Sequence, residues 1–167
     1  MALKWSCLRG SVLEVREAAH QVDGQWQVKA TKTGQVRSVL LGGKLQTALS
    51  QWRLTCEDDA RLASTTLIAN AFIFPGCPDG SKMISPNRMT YMFGKVADSM
   101  DPPHPELHLH SLRHFAATEL VAAGIGIRDV AERLGHADPA WTLIVYSHAR
   151  AHGQNEAAKV AESAVFG

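Results

Sequence analysis

The sequence predicts an α+β fold, mainly α, in which a helical body carries a small three-stranded antiparallel sheet near the N-terminus. Two observations carry this. Between residues 11 and 41, apolar and polar side chains alternate in three short runs separated by turn residues. From Ser85 onward, apolar residues recur at helical spacing behind Ser-Pro and Asp-Pro starts. At 167 residues the chain fits one domain with a single core.

The elements follow in order. In Ser11 to Arg16, Leu13 and Val15 alternate with Glu14 and Arg16; Trp26–Lys29 alternates too, and Val36–Leu41 less strictly. Asp23-Gly24 and Thr33-Gly34 supply turn chemistry, so the three runs form a meander. Gly42-Gly43 breaks the pattern, and Leu45, Leu49 and Trp52 open a helix. Residues 55–70 lack clear periodicity and read as a loop or irregular helix. Ala71-Phe-Ile-Phe74 is a short buried extended segment stopped by Pro75-Gly76, and Cys77–Lys82 is a turn. Ser85-Pro86 is an N-cap followed by proline at the first helical position, with Met89, Met92/Phe93, Val96 and Ala97 as the apolar stripe.

The Asp101-Pro-Pro-His-Pro105 run excludes helix. Beyond it, Leu112, Ala116, Leu120 and Ala123 share a helix face ended by Gly124. Ile127, Val130 and Leu134 define a second helix with Gly135 as its stop. Asp138-Pro139 starts a third helix, and Gln154 to Val165 is an Ala-rich last one.

Composition narrows the class. With 46% hydrophobic and 20% charged residues the chain reads as a soluble globular protein rather than a disordered one. No apolar run approaches the roughly 18 residues of a membrane span, and Met-Ala-Leu-Lys-Trp is no signal peptide. Cys7, Cys56 and Cys77 have no metal-type spacing and read as reduced thiols of a cytosolic protein. A net charge of +1 does not by itself suggest nucleic acid.

Chemistry concentrates in the C-terminal third. On a helix, His110, Arg113 and His114 share a face, and an Arg fork near free backbone N–H groups suits a phosphate. Leu134-Gly135-His136 places a histidine just past a helix stop, where it also fits a capping residue. Tyr146 sits beside Ile144 and Val145, where a single tyrosine is far more often a half-buried packing residue than a reactive one. His104, His108, His110 and His114 match no recognisable metal-ligand spacing, so no metal site is assigned.

Taken together, His110-x-x-Arg113-His114, Leu134-Gly135-His136 and Thr142-Leu-x-x-Tyr146 resemble the signature of tyrosine recombinases, the phage-type integrases of bacterial mobile elements. Phe115-Ala-Ala-Thr118, Ala122-Ala-Gly124 and the ten-residue step from His136 to Tyr146 agree with it. Upstream, Ala2-Leu-Lys-Trp5 is similar to the helix end before the family's sheet. Lys29-Ala-Thr-Lys32-Thr33 and Arg37–Leu41 are similar to its second and third strands, so the resemblance covers nearly the whole chain.

The resemblance implies a DNA breaking-rejoining catalytic domain acting on double-stranded DNA without a cofactor. Tyr146 would be the nucleophile, forming a 3′-phosphotyrosine and a free 5′-hydroxyl. Arg113 and His136 would stabilise the charge that gathers on the non-bridging oxygens. His110 would assist proton transfer at the tyrosine, and Lys32 would protonate the leaving oxygen, with Lys29 its rival. His114 and Lys29 are the expected DNA contacts. The family works as a homotetramer on DNA, passing its C-terminal helix to a neighbour. Gln154–Val165 is the candidate here, through Ala157, Ala158, Ala161 and Val165, though it also suits packing on its own domain. The expected setting is the bacterial cytoplasm, on the nucleoid when DNA is bound.

One family residue has no match. A second catalytic arginine, in an Arg-x-Gly-Glu-like stretch, is expected just before the position matched by Ala2-Leu-Lys-Trp5, and Arg9, Arg16 and Arg37 do not substitute for it. Residues 1–167 therefore read as a catalytic domain truncated at its N-terminal edge, with the family's N-terminal core-DNA-binding domain absent. Losing one of two phosphate clamps costs on the order of a hundred- to a thousand-fold in rate. The competing expectation is thus an impaired fragment that keeps only DNA binding or protein assembly.

Overall fold

The computed structural model describes residues 2–30 and 36–135. They fall into two compact units divided between Glu106 and Leu107. The architecture is mainly α with small antiparallel sheets, as the sequence predicts. The Thr33-Gly34 turn with Lys32, and His136, the Asp138-Pro139 helix start, Thr142, Tyr146 and the Gln154–Val165 helix, lie outside the described residues.

In the first unit, a 3-10 turn at Trp5–Cys7 leads into strands β1 (Leu8–Arg9), β2 (Val12–Val15), β3 (Glu17–Val22), β4 (Gln25–Ala30) and β5 (Arg37–Leu40). The strands do not form one meander. β2 sits between β1 and β5 in a three-stranded antiparallel sheet, while β3 and β4 pair only with each other. Thus the Trp26–Lys29 run faces Gln21 to Ala18 rather than the 11–16 or 36–41 run, and Leu13 lies opposite Leu8 and Val39. Leu8 and Leu13 both pack on the core, so this register buries one column of side chains. The tight turn is as expected: Asp23 and Gly24 both take positive φ, as a two-residue hairpin loop of type I′ requires.

Helix α1 spans Gly43–Leu62, continuing through residues that lack an obvious apolar period. The stripe does continue, carried by small side chains. Cys56 and Ala60 follow Trp52 at four-residue steps and are both almost fully buried. Ion pairs Arg53–Glu57 and Arg61–Asp58 lace the exposed side. Burial, with Asp59 and Glu57 nearby, pushes the Cys56 thiol up from its ordinary value, so it stays protonated at neutral pH.

The core of this unit centres on Trp5, Ala71 and Ile73, with Leu3, Leu8, Leu13, Leu49, Trp52, Leu67 and Phe74 around them. The predicted extended segment 71–74 is bonded along both edges. Ile73 N–H donates to Leu3 O (2.8 Å) and Trp5 N–H to Ala71 O (3.0 Å). On the other side, Phe72 N–H donates to Gly80 O (3.0 Å) and Ile84 N–H to Phe74 O (2.9 Å). The Trp52 indole N–H donates to the Ile73 carbonyl, tying α1 to the same strand. The predicted turn after it is compact. Gly80 has φ +74 and a Cβ there would lie 2.5 Å from Ala71 Cβ, while a Cβ on Gly76 would lie 2.6 Å from the Met83 carbonyl oxygen. Ile73 is 1% exposed. Ile73→Ala is expected to lower stability by about 2–5 kcal/mol, read as a shift in the urea midpoint at unchanged slope.

Helix α2 spans Pro86–Asp98, and the Ser85 side chain caps it by accepting from Arg88 N–H at 3.2 Å. Ser85→Ala should cost about 1 kcal/mol, visible as a lower Tm with the sheet intact. Its stripe is narrower than expected. Met89 and Phe93 are half-buried and Ala97 buried, whereas Met92 and Val96 are exposed.

The second unit pairs α3 (Leu109–Ala122) with α4 (Ile127–Leu134). Gly135, at φ +71, ends α4 in the left-handed conformation expected of a glycine stop. The buried side of α3 differs from the predicted face. Leu112 is 48% exposed, and the core instead joins Ala117 to Val130, with Leu120, Val121 and Leu134 around them. Ala117 admits α4 closely, and this turns the buried stripe about one residue around the helix. No helix among the described residues is long and apolar enough to cross a membrane.

Candidate functional site

The N-terminus of α3 is built by His108 and Ser111, three residues apart. His108 N–H donates to Ser111 Oγ (3.3 Å), and that hydroxyl meets His108 Nδ1 at 2.8 Å. Neither residue belongs to the expected site, yet the spacing is that of a capping box with histidine as the cap. His110, in the same first turn, and His114, one turn further, are exposed and meet edge to face, ring centroids 4.5 Å apart. Their i, i+4 spacing places them side by side as the helical reading required.

Arg113 is half-buried between them in sequence but turns to the other helix. Its guanidinium donates to the Leu134 carbonyl at 2.6 Å. Arg113 precedes Ala117 by one turn, so the face that docks on α4 also carries the arginine to the α4 C-terminus. A cation belongs there: α4 ends with carbonyls that lack intrahelical donors, and the negative pole of its dipole adds to the attraction. Two motifs separated by 21 residues are thereby joined through a backbone atom. The sequence contains a signal for this carbonyl, because a glycine stop always leaves such acceptors behind, but nothing in it says which donor arrives.

Of the expected site residues, the structure therefore brings His110 to His114, and separately brings Arg113 to Leu134, the residue that precedes Gly135-His136. Lys29 lies exposed on β4 of the first unit, in register with Ala18. Lys32, His136 and Tyr146 lie outside the described residues. Among the described residues, no group of three or more His, Cys, Asp or Glu side chains is placed to hold a metal ion. His104 instead meets Glu106 at 3.0 Å.

The fold is that of a tyrosine recombinase catalytic domain. A solved structure of the Tn1549 transposon integrase, in complex with transposon right end DNA, superposes on 99% of this chain and 53% of that one, with a TM-score of 0.74 at 20% identity. The XerA recombinase superposes on 86% of this chain and 45% of that one, with a TM-score of 0.59 at 22% identity.

The sequence profile of the phage integrase family matches residues 10–152, and the chain belongs to that family. Similar proteins include the ICEBs1 integrase of Bacillus subtilis, 28% identical over 161 residues, covering 95% of this chain and 42% of the relative. A putative prophage phiRv2 integrase of Mycobacterium tuberculosis is 26% identical over 143 residues, covering 85% of this chain and 35% of the relative. The chain thus spans less than half the length of these relatives.

Proposed function

We propose that this chain performs the strand cleavage and rejoining of a site-specific recombinase that integrates or excises mobile DNA. The observation that carries the reading is the Arg113 guanidinium anchored on the Leu134 carbonyl, beside the Gly135-His136 step. An arginine held in this way is a preorganised cation, which is what a phosphoryl transition state needs. A phosphate brought to this end of α3 would meet a permanent, planar positive charge whose place is already set by Leu134.

The proposed sequence of events follows. The Tyr146 oxygen attacks phosphorus, with His110 assisting removal of its proton, and the bond to the 5′-oxygen breaks. Lys32 gives that oxygen its proton, with Lys29 as the rival donor. Arg113 and His136 hold the charge on the non-bridging oxygens. The phosphotyrosine ester keeps the energy of the broken bond, so a second 5′-hydroxyl can reverse the step without ATP. His114, one turn along α3 from His110, is the proposed backbone contact, and four protomers on two duplexes complete an exchange.

The test starts from nicked duplexes randomised around the nick, which trap a covalent intermediate because the short cleaved strand diffuses away. A protein–DNA adduct on a denaturing gel, with the modified peptide containing Tyr146, is the expected result. The chain is compared with its Tyr146→Phe variant on the same duplexes, and only the former should give the adduct. Duplex binding by the chain without any adduct overturns the enzymatic reading and leaves a DNA-binding or assembly role.

A further inference from the structure

We infer that Gly135 is a positioning residue for Arg113, acting through the carbonyl of Leu134. The catalytic meaning of this inference rests on the proposed function; its geometry does not.

The last turn of α4 closes on itself through Gly135 N–H, which donates to the Glu132 carbonyl at 3.0 Å. The Leu134 carbonyl lies beyond that closure and takes the Arg113 N–H at 2.6 Å. In a helix continued past residue 135, the same carbonyl would accept from the backbone N–H four residues further on. The left-handed Gly135 turns the chain off the helical path just after this carbonyl, and the guanidinium meets it. Gly135 holds φ +71 and ψ 42, a conformation that a Cβ disfavours.

Leu134 does two things at once. Its side chain packs on the Ala117–Val130 cluster that joins α3 to α4, and its carbonyl holds the arginine. The place of the guanidinium is therefore set by where α4 stops. Gly135 itself has no side chain with which to touch DNA, so any effect of replacing it on cleavage passes through its neighbours.

The experiment compares Gly135→Ala, Gly135→Asn and Val130→Ala. Asparagine tolerates the left-handed conformation better than alanine, and Val130→Ala loosens the α3–α4 packing without altering the α4 end. The first readout needs no DNA: the guanidinium N–H signals of Arg113 in nitrogen-15 NMR, assigned by their loss in Arg113→Lys. A slowly rotating, shifted signal is expected in the parent chain, in Gly135→Asn and in Val130→Ala, and its collapse in Gly135→Ala.

The second readout is adduct formation on duplexes selected as above. Gly135→Ala should slow it by ~10- to 100-fold at unchanged DNA affinity, the size expected when a catalytic group is misplaced. Gly135→Asn should recover most of the rate. A methylphosphonate at the cleaved position, which lacks the charge that Arg113 would meet, should narrow the gap between Gly135→Ala and the parent. An unchanged Arg113 signal in Gly135→Ala, or an equal rate loss in Val130→Ala at matched Tm, overturns the inference. If the parent chain forms no adduct, the recombination reading fails, and the NMR comparison still decides whether Gly135 positions Arg113.

Discussion

Tyr146→Phe is expected to leave DNA binding within about threefold and to abolish the covalent adduct, a loss on the order of 10⁴-fold or more, as removal of a nucleophile produces in other enzymes. The substitution deletes one oxygen and keeps the ring, so any packing role of the side chain survives. The chain has two tyrosines, which makes a clean control available. Tyr91 lies on α2, 65% exposed, with the Lys95 ammonium 5.7 Å from its ring centroid. An exposed phenol is within reach of a DNA backbone, so the comparison has force. Tyr91→Phe should leave the adduct unchanged. An adduct that survives Tyr146→Phe and disappears in Tyr91→Phe would move the nucleophile to α2 and undo the proposed alignment.

Arg113→Ala should slow adduct formation by ~10²–10³-fold, the usual effect of removing one donor from a transition-state clamp. The loss should fall on the rate at saturating DNA, with the dissociation constant changed by less than about threefold, because one phosphate contact among many contributes little to binding. Arg113→Lys keeps the charge but not the fork, and one ammonium cannot serve the Leu134 carbonyl and a phosphate in the same planar geometry. Most of the loss should therefore persist in Arg113→Lys. Truncation also strands the Leu134 carbonyl, so Arg113→Ala should lower stability by about 1–3 kcal/mol as well. A variant that loses affinity and rate in equal measure would make Arg113 an anchor for DNA rather than a clamp on the transition state.

The two predictions rest on different amounts of sequence information. His110, Arg113 and His114 fall on one helix because their spacing is helical, and Gly135 ends α4 because glycine alone enters the left-handed region cheaply. Both are local rules, legible from the letters. Ser85-Pro86 and Asp23-Gly24 are legible for the same reason. The pairing of β2 with β5 is not, because alternation identifies strands without naming their neighbours. β3 is hidden within Glu17–Val22, where alanines and a histidine give no apolar period. The second half of α1 escapes because its buried positions are held by Cys56 and Ala60, which score as weak hydrophobes but fit a narrow space. Leu112 misleads for the opposite reason: a large apolar residue on an otherwise sound helical stripe, displaced from the core once Ala117 decides how α4 sits. The Arg113 to Leu134 contact joins a side chain to a backbone atom, and a sequence does not display its carbonyls.

The connection from α1 to α2 bears on how this protein can be cut and labelled. Between Ala71 and Ile84 the chain has little regular secondary structure, which ordinarily marks a place where an epitope, a fluorophore or a break in the chain is harmless. Here the opposite holds, since 71–74 is bonded along both edges and neither Gly76 nor Gly80 has room for a single added carbon. The Asp23-Gly24 turn is an open site, with nothing within 4 Å of a Cβ at Gly24. A reporter inserted there, rather than in the longest-looking loop, is the one that leaves the hydrophobic centre of the first unit undisturbed.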